Sequence, residues 1–154
     1  MQNLINPEIG IFHHVGVACR NLDAEQKIFG LLGYAAEGED FEDPIQGVRG
    51  RFLTGGGPRI ELLTALAPDS NNVLKDWLGR GAKMYHLAYV VDDIGEVTSR
   101  LVASGAKVIV PPVPAIAFNN SNISFVMLRN MLLVELIEGN NNERAEYSDI
   151  KSTG

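Results

Sequence analysis

Two stretches of the chain repeat one another at an offset of 72 residues, and this constrains the fold more than any other feature. Phe12-His13-His14-Val15-Gly16-Val17-Ala18-Cys19-Arg20-Asn21-Leu22 aligns with Met84-Tyr85-His86-Leu87-Ala88-Tyr89-Val90-Val91-Asp92-Asp93-Ile94. His14 falls on His86, Ala18 on Val90, Asn21 on Asp93 and Leu22 on Ile94. Each copy reads as an apolar strand, then a short polar residue suited to capping, then a helix. The two helices run to Gly33 and Gly105, where left-handed stops are expected. Further strands follow in each half, 47–53 and 59–64 in the first, 108–110, 124–128 and 132–137 in the second. The pattern predicts an α+β fold: two βαβββ modules in tandem. The expected layout is a single domain over 1–154. It has a first module at 11–66, a linker helix in 67–83, a second module at 84–138 and a mobile tail at 139–154. A half of this size is too small to bury a sufficient core alone.

Strand parity then selects residues. Successive side chains alternate between faces. His14 shares a face with Gly16 and Ala18, and His86 with Ala88. Val15, Val17 and Cys19 fall on the opposite face, as do Leu87, Tyr89 and Val91. The last strand of each half carries one acid among apolar residues: Ile60-Glu61-Leu62-Leu63 and Val134-Glu135-Leu136-Ile137. The bulky face suits packing against helices. The other face is left with His14, Glu61, His86 and Glu135. Carboxylates flanked by Ile, Leu and Val are costly to bury unless paired or bound to a cation. Two imidazoles and two carboxylates suit a divalent ion, with Co, Ni, Zn, Mn and Fe all open. By the same parity His13 is expected on the other face, away from the site.

Composition narrows the partners. Thirteen Lys and Arg against nineteen Asp and Glu give a net charge of −6, which argues against a nucleic-acid backbone or an anionic membrane surface as partner. No apolar run is long enough to span a bilayer, and the first residues do not read as a secretory signal. Cys19 is the single cysteine and cannot form an internal disulfide, so a reducing, cytoplasmic setting is expected.

At this point the residues resemble a family. Paired βαβββ halves carrying His…Glu…His…Glu are similar to the vicinal oxygen chelate superfamily, which includes glyoxalases, methylmalonyl-CoA epimerases, extradiol dioxygenases and antibiotic-sequestering proteins. The epimerase branch is resembled most, through His13-His14-Val15-Gly16-Val17-Ala18, Gln46-Gly47-Val48-Arg49, Ile60-Glu61-Leu62-Leu63 and Tyr85–Ile94. The resemblance implies that the two modules form a curled mixed sheet around a metal-bearing cleft, with His14, Glu61, His86 and Glu135 as metal ligands, a homodimer, and a small-molecule substrate such as an acyl-CoA thioester. It also implies proton abstraction α to a carbonyl or thioester through a metal-stabilised enolate. As in glyoxalases, Glu135 or Glu61 is the candidate base. Where epimerases commonly carry a glutamate before the second strand, this chain has Ile45.

Three alternatives stay open: a glyoxalase-type lyase, a non-catalytic antibiotic-sequestering protein, and an extradiol-type dioxygenase. The fourth ligand-type residue, Glu61, counts against the last, whose chemistry uses two His and one carboxylate. Other features read as structural. The acidic run Glu37–Asp43 is expected to be a solvated loop, and Pro111–Pro114 a rigid connector. Arg49, Arg51 and Arg59 are expected to pair on the surface, and Cys19 to be a small core residue.

Overall fold

The computed structural model describes residues 9–67, 72, 74–81 and 83–139. The expected mobile tail, apart from Gly139, lies outside these residues, as do Asp69, Ser70 and Val73 of the linker. β1 (Ile11–Ala18), α1 (Leu22–Gly30), β2 (Ala35–Asp43), β3 (Val48–Thr54) and β4 (Ile60–Ala65) form the first half. After α2 (Leu74–Gly79) come β5 (Met84–Val91), α3 (Ile94–Ala103), β6 (Lys107–Pro114), a 3-10 turn at Ile116–Phe118, β7 (Asn122–Met127) and β8 (Leu133–Glu138).

All eight strands join one mixed sheet in the order β2-β3-β4-β1-β5-β8-β7-β6. Each half has its opening strand parallel to its closing strand, β1 to β4 and β5 to β8. The two opening strands pair antiparallel at the centre. The halves are therefore related by an approximate two-fold running between β1 and β5.

Local signals place the helices. Asn21 and Asp93 cap α1 and α3, their side chains accepting from the backbone N–H of Ala24 and Glu96. Gly33 and Gly105 take φ of +93° and +94°, the left-handed stop that favours glycine. Val17, Cys19, Leu22, Leu53, Ile60 and Leu62 form a core under α1. Val91, Ile94, Val97, Val126, Val134 and Leu136 form its counterpart under α3. A third core fills the concave side and includes Ala18, Leu63, Leu74, Tyr85, Ala88, Val90 and Phe125. Among the described residues no helix is long and apolar enough to cross a membrane.

Three expectations need correction. The acidic run is not a loop but β2, an edge strand whose partner among the described residues is β3. Edge strands tolerate charge, which also discourages pairing with other chains. Pro111–Pro114 continue β6, the opposite edge, where the absent N–H groups cost least. Third, His13 does not lie on the helix-facing side. Register slips between Phe12 and His14 in β1, and again between Gly16 and Val17 where β5 reads His86 then Met84. The two slips skip His13 and Tyr85, which are equivalent positions of the repeat. Each bulge turns an extra residue out of alternation, and both residues are buried.

Candidate metal centre

The sheet brings the four sequence-selected residues together. Gly16 pairs with Glu61 between β1 and β4, and Ala88 with Glu135 between β5 and β8. Across the central pair, His14 lies opposite Ala88 and His86 opposite Gly16. Each imidazole therefore has a small residue across from it, and each carboxylate comes from the adjacent parallel strand. Phe52 on β3 pairs with Glu61 and stands edge-on to the His14 ring at 5.6 Å between centroids. Phe125 on β7 pairs with Glu135 and stands edge-on to His86 at 5.2 Å.

His14 and His86 are fully buried, Glu61 and Glu135 nearly so. One ligand atom from each lies within 4.8 Å of the others. His14 Nε2 is 3.0 Å from His86 Nε2, 3.2 Å from Glu135 Oε2 and 3.6 Å from Glu61 Oε1. His86 Nε2 is 3.0 Å from Glu135 Oε2 and 3.7 Å from Glu61 Oε1. Adjacent donors about 2.1 Å from a common ion stand roughly 3.0–3.4 Å apart in octahedral or tetrahedral geometry, so the spacing fits a divalent metal. Glu135 Oε2 is buried without a hydrogen-bond partner. That is costly unless a cation faces it. The four residues can hold a metal ion.

Electrostatics agree with a cation-seeking site. Burial alone would push the His14 pKa down, but Glu61 and then Glu135 outweigh it and hold it up at about 9. Burial would raise Glu135, but the charge of His86, and then the closeness of both imidazoles, push it down to about 2. The carboxylates thus hold a positive charge at the centre.

His13 stands behind His14. The two Nδ1 atoms are 2.7 Å apart, and His13 Nε2 is 3.3 Å from Arg59 Nη1. Arg59 Nε donates to Glu37 Oε2 at 3.1 Å. Burial, with the charges of His14 and Arg59, pushes His13 down to about 3, so its ring is neutral. Parity misplaced this residue because a bulge carries no compositional mark. The clue that remained was the repeat itself, which put a second large side chain, Tyr85, at the same place before His86.

A cavity of about 280 Å³ opens beside the centre, with His13, Phe52, Phe118, Arg59, Glu37 and Asn119 in its walls. At the equivalent place in the other half, Tyr85 is covered by Trp77 of α2, ring centroids 5.5 Å apart. Leu74, Trp77 and Leu78 pack in the same cluster.

Residues 13–125 match the glyoxalase/bleomycin resistance protein/dioxygenase superfamily. The chain belongs to this superfamily. The fold is similar to a hypothetical protein from Bacillus halodurans, with 27% identity, a TM-score of 0.71, and coverage of 84% of this chain and 94% of that one. It is equally similar to methylmalonyl-CoA epimerase from Mycobacterium tuberculosis, with 25% identity, a TM-score of 0.71, and 93% and 97% coverage. A Streptomyces coelicolor methylmalonyl-CoA epimerase, in complex with 2-nitronate-propionyl-CoA, shares the fold at 21% identity and a TM-score of 0.67, covering 86% of this chain and 99% of that one. A search of curated proteins gives no match.

Within this superfamily chain, the carboxylates around Ile45 do not join the centre. Ile45 itself is 64% exposed. Asp43 is buried, but its oxygens accept from the N–H groups of Ile45, Gln46 and Ile116 and from the Gln46 side chain. It builds the β2–β3 turn. Glu42 is exposed and pairs across the strands with Arg49. Arg51 clamps Asp40 through two nitrogens and reaches Asp23 of α1. Arg49 and Arg51 are thus structural, while Arg59 belongs to the cavity wall. Cys19 is buried under α1, as expected.

Proposed function

We propose that this protein is a metal-dependent enzyme of the isomerase or epimerase type, which removes a proton α to a carbonyl or thioester. The observation that carries this reading is the buried His14–Glu61–His86–Glu135 cluster, whose ligand atoms converge within 4.8 Å. His14 and His86 would hold the ion through Nε2, and Glu61 and Glu135 through one carboxylate oxygen each. A divalent ion there supplies Lewis-acid stabilisation of the charge that develops on a substrate oxygen as the proton leaves.

The chain's own groups account for the rest. Glu135 and Glu61 are the candidate bases, because they are the carboxylates of the centre itself. While paired with the imidazoles Glu135 is a weak base, so proton abstraction requires that pairing to loosen. Phe52, Phe118 and Phe125 keep the centre dry, which strengthens each electrostatic contact within it. An acyl thioester is the favoured substrate class, since solved relatives of the same fold carry propionyl-CoA analogues and methylmalonyl-CoA.

One observation favours a second reading. The exposed Ile45 leaves no acid at the position where the epimerase resemblance places one, which is compatible with a binding protein that sequesters a small molecule. Incubating the metal-loaded protein with 2-acyl thioesters in D₂O separates the two. Exchange of the α-proton, lost on removing the metal, is expected. Absence of exchange across a broad panel would leave the binding reading.

A further inference from the structure

The metal-centre reading, on which this step rests, raises a question of access. His14 and His86 are fully buried, and Glu61 and Glu135 nearly so. None of the four lines the cavity of about 280 Å³ beside them. Nothing passes from that cavity to the ligand atoms unless a covering group moves. Three side chains stand both in the cavity wall and against the His14 ring: His13, Phe52 and Phe118. They are the partition between cavity and centre.

The fold separates these three. His13 is on β1, which has β4 and β5 beside it, and Phe52 is on β3, between β2 and β4. Ladder hydrogen bonds on both sides fix those strands, so rotation of the side chain is the motion left to either residue. Phe118 instead ends the 3-10 turn Ile116–Phe118 in the connection from β6 to β7, outside the sheet. Its half-buried ring lies over that of His14, 12° from parallel, with centroids 6.0 Å apart. The connection closes on itself. Ala115 N–H donates to Ser121 O at 3.0 Å, Asn120 N–H to Ala115 O at 2.9 Å and Ser121 N–H to Phe118 O at 3.0 Å. The turn is tied to the β2–β3 turn by a long hydrogen bond, Ile116 N–H to Asp43 Oδ2 at 3.4 Å. Ala115, at its start, is fully buried and serves as an anchor. Asn119 and Asn120, at its end, take φ of +52° and +63°. After glycine, asparagine is among the residues that enter this left-handed region at least cost. A self-contained turn with an anchor at one end and two such residues at the other can move its backbone and ring together.

We propose that Phe118 is the gate of the metal centre. Outward movement of the turn lifts the ring off His14 and joins the centre to the cavity. Its return shuts water out.

Zinc kinetics test the gate. Metal-free protein is mixed with rising zinc in a stopped-flow instrument. In the wild type the uptake rate is expected to level off, because opening precedes binding. In Phe118→Ala the levelling is expected to vanish. Uptake and chelator-driven release should both quicken by at least about tenfold, as expected when the open form is a minor state of about 10% or less. Wild-type uptake that keeps rising in proportion to zinc overturns the gate. So does Phe118→Ala that releases zinc faster but takes it up no faster, since the ring then only steadies His14. Phe118→Leu keeps an apolar side chain in the turn and serves where Phe118→Ala does not fold. It too should quicken uptake, and a wild-type rate in it rejects the proposal. Zinc bound at one per chain without these kinetics rejects the gate and leaves the catalytic reading standing, whereas failure to bind zinc removes both.

Discussion

Gly16 lies directly across from His86 in the central strand pair, and a Cβ at Gly16 would overlap the His86 ring. The ring occupies the volume that any other residue would fill. Gly16→Ala is therefore expected to push His86 off the centre while the sheet still forms. Metal affinity should fall by at least about tenfold, the lower end of what disturbing a ligand's support costs. Competition against a chromophoric chelator measures it, and wild-type affinity in a folded Gly16→Ala protein would contradict this account.

The stability of chelator-treated protein should depend on pH on both sides of neutrality. His14 is raised from 6.5 to about 9. Its contribution is fully present below pH 6.5 and is lost as pH rises through 9. His13 is lowered from 6.5 to about 3, so the unfolded chain binds a proton there that the folded one refuses. Stability therefore also falls as pH drops from 6.5 towards 3. Glu135, lowered from 4.5 to about 2, adds to the acid loss below pH 4.5. Urea midpoints at pH 4.5, 6.5 and 9.5 should be highest in the middle. Equal midpoints at 6.5 and 9.5 would contradict the His14 assignment.

Cys19 is expected to be inert. It is 1% exposed, and burial, then Glu25, pushes its thiol up to about 11. Only the thiolate reacts readily. A disulfide reagent at pH 8 should leave the native protein unlabelled and react fully once denaturant is added. Rapid labelling of the native chain would show that α1 opens.

The linker helix holds its place by packing, since six residues are too few for a stable isolated helix. Leu74 is fully buried against the concave core. Leu74→Ala should cost about 3 kcal/mol, within the usual span for such truncations. Denaturant unfolding measures the loss, and Trp77, the single tryptophan, should become more exposed as read by its fluorescence. A change below about 1 kcal/mol would mean that α2 is not part of the core.

The centre was legible because repeat and parity agree at His14, Glu61, His86 and Glu135. Asn21, Asp93, Gly33 and Gly105 were equally legible, since capping and left-handed stops depend on local chemistry alone. β2 was hidden because an edge strand needs no apolar face, and its acids resemble those of a loop. His13 was hidden for a different reason. Parity is a rule about unbroken pairing, and a bulge changes which way a residue points without changing the residue.

The covering of Tyr85 by Trp77 has a stereochemical consequence. A perfectly duplicated sheet would offer the centre to solvent from two equivalent directions. Tyr85 packs under Trp77 in the cluster that includes Leu74 and Leu78, whereas His13 lines an open cavity. A planar intermediate held at the centre would have the cavity lined by His13 on one side and the cluster around Tyr85 on the other. Exchange with bulk solvent would then be faster on the face turned to that cavity.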